Sequence, residues 1–149
     1  MGADLYIKNM DREKQSTGFE VSDKARKDGY FRDCYNDGGL FAVMSANTDK
    51  ELSWWGLARR KELFSDNDEE CLMSVDGAKK LRDELEPIIK GFLKKKKMYY
   101  ASYSLDNHKN EKGKEIDKKN VKEYRDWARG LLEFLDLAIS CDSEIIFSV

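Results

Sequence analysis

The stretch NVKEYRDWARGLLEFLDLAIS, residues 120–140, constrains the fold of this chain more than any other. Val121, Tyr124, Trp127, Ala128, Leu131, Leu132, Phe134, Leu135, Ala138 and Ile139 recur at threes and fours and spread around more than half of a helical circumference. A helix that apolar must be covered on several sides, and the pattern predicts the most buried helix of the molecule. Asn120, with Glu123 three positions on, is close to a capping-box pattern and marks its predicted start.

A second periodic stretch, SVDGAKKLRDELEPIIKGFLKKKK, places Val75, Ala78, Leu81, Leu85, Ile88, Ile89, Phe92 and Leu93 along one face, charges opposite, with Ser74 as N-cap. Pro87 lies inside it. A proline there removes one backbone hydrogen bond and clashes with the preceding turn, at about 3 kcal/mol in a straight helix, so a kink or break is expected.

Period two replaces these periods at the two ends. ADLYIKN puts Leu5 and Ile7 on one side and Tyr6 on the other, and SEIIFSV reads the same way. Two terminal strands suit neighbours in one sheet, which ties down ends that would otherwise fray. The expected fold is α+β: a small sheet including both chain termini, packed by the helices near residues 75–96 and 120–140. At 149 residues, 40% of them hydrophobic, without an internal repeat or a dividing linker, residues 1–149 are expected to form one compact domain.

Elsewhere the pattern is weaker. SDKARKDG is readable as a short helix from Ser22 to a stop at Gly29. GGLFAVMSA is readable as a helix capped by Asn36 or Asp37, or as a hairpin arm turned by Asp37-Gly38; the helix is the preferred expectation. SDNDEE and SLDNHKNEKGKEIDKKN are polar enough for exposed loops.

Charge narrows the function classes. With 27 basic against 29 acidic residues, no global field steers the chain onto nucleic acid or a membrane, and nucleic acid is an unlikely partner. LKKKKMYY sets lysines beside tyrosines, as single-strand binders do. Its plainer reading is a set of cations at a helix C-terminus, followed by the strand MYYASYS with tyrosines alternating between core and solvent. MGADLYIKNMDREK resembles neither a secretory signal nor a membrane span, and the expected location is the cytoplasm. There Cys34, Cys71 and Cys141 are expected to be free thiols.

No metal or cofactor is expected. The single histidine, His108, has no C-x-x-C beside it and reads as a solvated side chain. An EF-hand over Asp66, Asp68 and Glu70 would need Gly and Glu where this chain has Cys71 and Gly77. Nucleophile-elbow, P-loop and dinucleotide fingerprints do not occur.

The densest set of chemically capable side chains is GYFRDCYNDGG, residues 29–39, followed by ELSWWGL. The candidate binding residues are Tyr30, Arg32, Asp33, Tyr35, Asn36, Trp54 and Trp55. Arg32 could clamp a carboxylate or phosphate, Asp33 could act as a base, the tyrosines could supply hydroxyls or stacking faces, and the tryptophans could form a wall. The structural reading pairs Arg32 with Asp33 and with backbone groups, caps the next helix with Asn36 or Asp37, and makes one tryptophan core and the other half-exposed. Under that reading Tyr35 and Trp54 pack in one neighbourhood.

MGADLYI, GYFRDCYND with LSWWGL after it, and LLEFLDLAISCDSEIIFSV together resemble an uncharacterised family of small bacterial and phage-associated proteins. Its members share such an opening, a YFRD-x-YN block, an SWW block and a C-terminal helix-strand, in that order. The resemblance implies a compact one-domain fold and assigns no catalytic residue. Family members usually carry Ser at the position of Cys34, and the resemblance thereby argues against a thiol nucleophile there. The expected function is a non-enzymatic cytoplasmic interaction module, phage-related or antidote-like, that masks a protein partner. The alternative is a small enzyme acting on an anionic substrate, with Arg32 and Asp33 in its site.

Overall fold

The computed structural model describes residues 2–10, 28–65 and 71–149. Along the chain run β1 (Gly2–Ile7), β2 (Tyr30–Cys34), α1 (Leu40–Asn47), α2 (Trp54–Ala58), a 3-10 turn at Lys61–Leu63, β3 (Leu72–Met73), α3 (Val75–Leu93), β4 (Tyr99–Ser104), β5 (Lys109–Glu115), α4 (Lys118–Ser140) and β6 (Ile145–Ser148). The fold is α+β. β1, β2, β3 and β6 form an antiparallel sheet in the order β2-β1-β6-β3, and β4 and β5 form a separate two-stranded ribbon.

The terminal strands pair with each other at the centre of the sheet, with Leu5 opposite Phe147 and Ile7 opposite Ile145. Ala3, Leu5 and Ile7 alternate inward along β1, and Phe31 and Asp33 do so along β2. Against this face lie the helices, so Leu5, Ile7, Phe31, Leu40, Met44, Leu81, Leu131, Phe134 and Ile145 share one core.

The long helices sit where the periodicity places them, with different ends and a different rank of burial. α4 begins at Lys118 with Asp117 as N-cap, so Asn120 lies inside the helix and caps nothing. The most buried helix is α1, with seven of its eight residues inside. It is enclosed by β2, α3, α4 and the ribbon, whereas α4 keeps one face in solvent. α3 carries Pro87 without a break. Pro87 and Asp83, whose carbonyl loses its helical partner there, are both on the exposed face, so water can satisfy the freed oxygen.

Residues 104–120 are not one exposed loop. Tyr99–Ser104 and Lys109–Glu115 pair in a hairpin, with His108 in the left-handed conformation at its turn. Its polar composition hides it, because the ribbon stands on the surface. Asn47 at the end of α1 holds it in place: its amide donates to the Tyr99 carbonyl (2.8 Å), and its carbonyl oxygen accepts the Tyr99 N–H (3.0 Å). A single side chain thus supplies what a strand partner would. The expected helix at 22–29 and the acidic stretch SDNDEE fall largely outside the described residues.

Gly77, in the first turn of α3, is required by close packing. A β-carbon there would stand 1.9 Å from the Leu63 carbonyl oxygen, and a backbone oxygen cannot swing aside. Ala in a helix interior normally gains up to about 1 kcal/mol over Gly. Gly77→Ala should reverse that sign, lowering stability by about 2 kcal/mol or more in a urea melt, since the 3-10 turn must move off α3. A variant at least as stable as the parent would show that this contact is not tight.

Candidate functional site

The site grows from the two faces of β2. Phe31 and Asp33 point into the helices, and Tyr30, Arg32 and Cys34 point to the opposite side of the sheet. Arg32 and Asp33 therefore do not pair with each other. Arg32 reaches across to its register partner Asp4 on β1, at 2.9 and 3.2 Å from the two carboxylate oxygens. Tyr30, stacked on Tyr6, donates its hydroxyl to the same carboxylate. Burial and the Asp4 charge push the Tyr30 phenol up to about 12.

Asp33 is fully buried. One carboxylate oxygen accepts the N–H groups of Cys34 and Leu40, both at 2.7 Å, and the other accepts Phe41 N–H at 3.0 Å and the Trp54 indole N–H at 2.7 Å. Burial pushes this carboxyl up, and the four donors oppose that shift. Every group facing it is a donor, so a proton on Asp33 would displace one of them, and the ionised form is the one the site fits. Asp33 also performs the capping expected of Asn36 or Asp37. The N-cap residue of α1 is Gly39, without a side-chain cap, and the first two helical N–H groups end on Asp33.

Asn36 instead closes its own turn, accepting Gly38 N–H at 2.9 Å and the Cys34 thiol at 3.4 Å. Burial, then the charge of Asp33, pushes the Cys34 thiol up, which disfavours the thiolate a nucleophile needs. The three cysteines of the chain are free. Two residues of α4 close the block from outside: Trp127 donates to the Arg32 carbonyl at 3.0 Å, and Tyr124 donates to the Gly38 carbonyl.

A cleft of about 530 Å³ opens beside this junction. Tyr35, Leu52 and Trp55 line one side, and Tyr103, His108 and Asn110 of the ribbon line the other. Of the seven candidate residues, Tyr35, Asn36, Trp54 and Trp55 line it, while Tyr30, Arg32 and Asp33 do not. The tryptophans divide their labour: Trp54 is 3% exposed, stacked on Phe41 at 3.8 Å, and Trp55 is 55% exposed. Trp55 meets Tyr35 edge to face at 6.1 Å. Burial pushes the Tyr35 phenol up, a shift the neighbouring Trp55 indole opposes, and the buried Tyr35 hydroxyl has no hydrogen-bond partner among the described residues.

Sequence reasoning missed the far wall. Glu51 accepts from the Asn110 backbone at 3.1 Å and from its side-chain amide at 2.5 Å, and so fixes the ribbon as the second side of the cleft. The strand read in MYYASYS is β4; its partner β5, within the stretch read as a loop, is what was missed. A larger groove of about 780 Å³ lies between α1, α3 and β5, over Ala46, Pro87, Ile88 and Gly91. Glu84 on its wall is already held by Arg60 in two bonds of 2.6 and 2.7 Å. Among the described residues no group of three or more His, Cys, Asp and Glu stands where it could hold a metal ion, and no helix is long and apolar enough to cross a membrane. No family model, curated protein or solved structure matches the chain.

The arrangement sets the cost of changing Asp33. In Asp33→Asn the amide oxygen can still accept two N–H groups, but the NH₂ then faces two further donors. Two buried donors and the new amide are left unsatisfied. We expect a loss of about 3 kcal/mol or more in a urea melt. Trp54→Phe, which deletes one donor and keeps a ring on Phe41, should cost less. An Asp33→Asn protein as stable as the parent would contradict a structural role for this carboxylate.

Proposed function

We propose that the chain is a non-enzymatic binding module that masks a surface of a protein partner, and that the partner enters the cleft between Trp55 and the β4–β5 ribbon. One observation carries this reading. The described large hydrophobic side chains that remain exposed are Trp55, Tyr103, Leu105 and Val149, and the first two line the cleft while Leu105 sits in the turn above it. Half-exposed Trp and Tyr at the rim of a concavity are the residue types that anchor protein interfaces, since each contributes a large rigid area at a small entropic cost. A phage-related or antidote-like setting is what the resemblance of the YFRD-x-YN and SWW blocks supports.

The alternative, an enzyme holding an anionic substrate between Arg32 and Asp33, requires both side chains at one opening. They leave β2 on opposite faces, and the Asp33 oxygens are occupied by four donors. That geometry favours the module.

A photo-crosslinking amino acid placed at Trp55 should capture a discrete partner in lysate of cells that express the chain, whereas the same group at exposed Lys79 on α3 should not. Trp55→Ala should compete poorly with the parent for that partner and shift the urea midpoint by less than about 1 kcal/mol of stability. Equal capture from both positions, or undiminished competition by Trp55→Ala, would overturn the assignment of the cleft.

A further inference from the structure

The near-neutral total charge conceals a strong segregation. Residues 94–125 carry eleven Lys and Arg against five Asp and Glu, and the rest of the chain carries 16 against 24. The fold gathers this segment at one end of the molecule. Ile116 N–H donates to the Met98 carbonyl at 2.8 Å, which sets the start of α4 beside the lysine run that ends α3. Arg125 of α4 donates to the Lys95 carbonyl at 2.6 Å, and the Lys112 ammonium of β5 stands 5.2 Å over the Tyr99 ring of β4.

The lysines of this end are exposed and unmatched. Lys94 to Lys97, Lys109, Lys112, Lys114, Lys118, Lys119 and Lys122 are all exposed, and among the described residues none of them forms an ion pair. Elsewhere Arg32, Arg60, Arg82, Lys90 and Arg129 each face a carboxylate. A helix C-terminus accounts for Lys94 to Lys97 alone. Lys118, Lys119 and Lys122 occupy the first turns of α4, which carries no acid in its first turn, and cations there oppose the helix dipole. Like charges assembled against the dipole are stabilised by an anion that spans them.

We propose that this end binds single-stranded nucleic acid through its phosphates. The cations are almost all lysines, which hold phosphates as point charges and lack the planar fork that reads base edges, so binding is sequence-tolerant. Tyr99, half-buried with Lys112 over one face, supplies an aromatic ring beside the lysines on which an unpaired base can stack, whereas a duplex presents no unpaired base; Tyr100, its neighbour on β4, points the other way and packs against Tyr124. The arginine of this end, Arg125, donates from Nη2 to the Lys95 carbonyl, and its Nε is buried, so its fork is not open to a base edge.

The test is fluorescence anisotropy with a labelled oligothymidylate of about 20 nucleotides, a duplex of the same length, and anionic phosphatidylglycerol vesicles, across about 50 to 200 mM salt. For about five phosphates engaged, affinity for the single strand should fall roughly 100-fold over that range. Replacing Lys118, Lys119 and Lys122 together with Gln should flatten the log–log salt slope by about 2, while Lys79→Gln with Lys80→Gln, on the exposed face of α3, should leave it unchanged. The triple variant should melt no lower than the parent, since it removes cations from a helix N-terminus. Absence of single-strand binding at low salt, equal or tighter binding to the duplex or to vesicles, or an unaltered slope in the triple variant would overturn the proposal.

Discussion

A buried carboxylate with four N–H donors on it organises this molecule. Asp33 lies on β2, and its donors belong to β2 itself, to the first turn of α1 and to the indole of Trp54 at the start of α2. An ion removed from water costs several kcal/mol unless its lone pairs are satisfied, so the chain must bring these elements together to bury it. The strand-to-helix connection is correspondingly tight. A β-carbon on Gly39 would stand 2.1 Å from the Cys34 carbonyl oxygen and 3.1 Å from an Asp33 oxygen, which leaves glycine as the residue that fits. α1, held by its first two N–H groups, is then enclosed, and its far end grips the ribbon through Asn47.

That chain of dependence explains what was legible in the residue order. The periods of 3.6 in α3 and α4 and of 2 in β1 and β6 reflect burial against one core, and they place those elements and the pairing of the termini. α1 was harder to rank. Its eight residues, six of them apolar and spread all round, carry no amphipathic signal, so the more extended pattern of residues 120–140 looked the more buried. Of the ribbon, β4 was legible in MYYASYS, while β5 was not, because it exposes most of its length and its lysines and glutamates mask any alternation. The partners of Asp33 had no spacing to reveal them: three are backbone groups, and the fourth is 21 residues away. The signal present was Asp33 itself, two positions after Phe31 and so on the same inward face. An acid in that register demands donors from whatever packs above it. The structural reading of GYFRDCYNDGG anticipated burial but paired Arg32 with its sequence neighbour, which the alternation of a strand forbids.

The same scaffold presents two surfaces of different chemistry. The cleft is aromatic, lined by Trp55 and by Tyr103 of the ribbon that Glu51 and Asn47 hold in place, and Trp54 and Tyr35 join it to the Asp33 junction. The opposite character belongs to the end formed by the α3 terminus, the ribbon and the start of α4, where lysines stand without carboxylate partners. The ribbon contributes to both, its Tyr103 and Asn110 to the cleft and its Lys112 and Lys114 to the basic end.

Native-state hydrogen exchange at Leu40 and Phe41 tests the central role of Asp33 most directly. First-turn amides of an ordinary helix have no intrahelical partner and exchange through local opening at little cost. Held on a buried carboxylate that joins strand to helix, these two should exchange only when the whole molecule unfolds, with an opening free energy equal to the global value and falling with denaturant at the same slope. Exchange of Leu40 and Phe41 through a denaturant-independent local opening, several kcal/mol below the global value, would contradict the account.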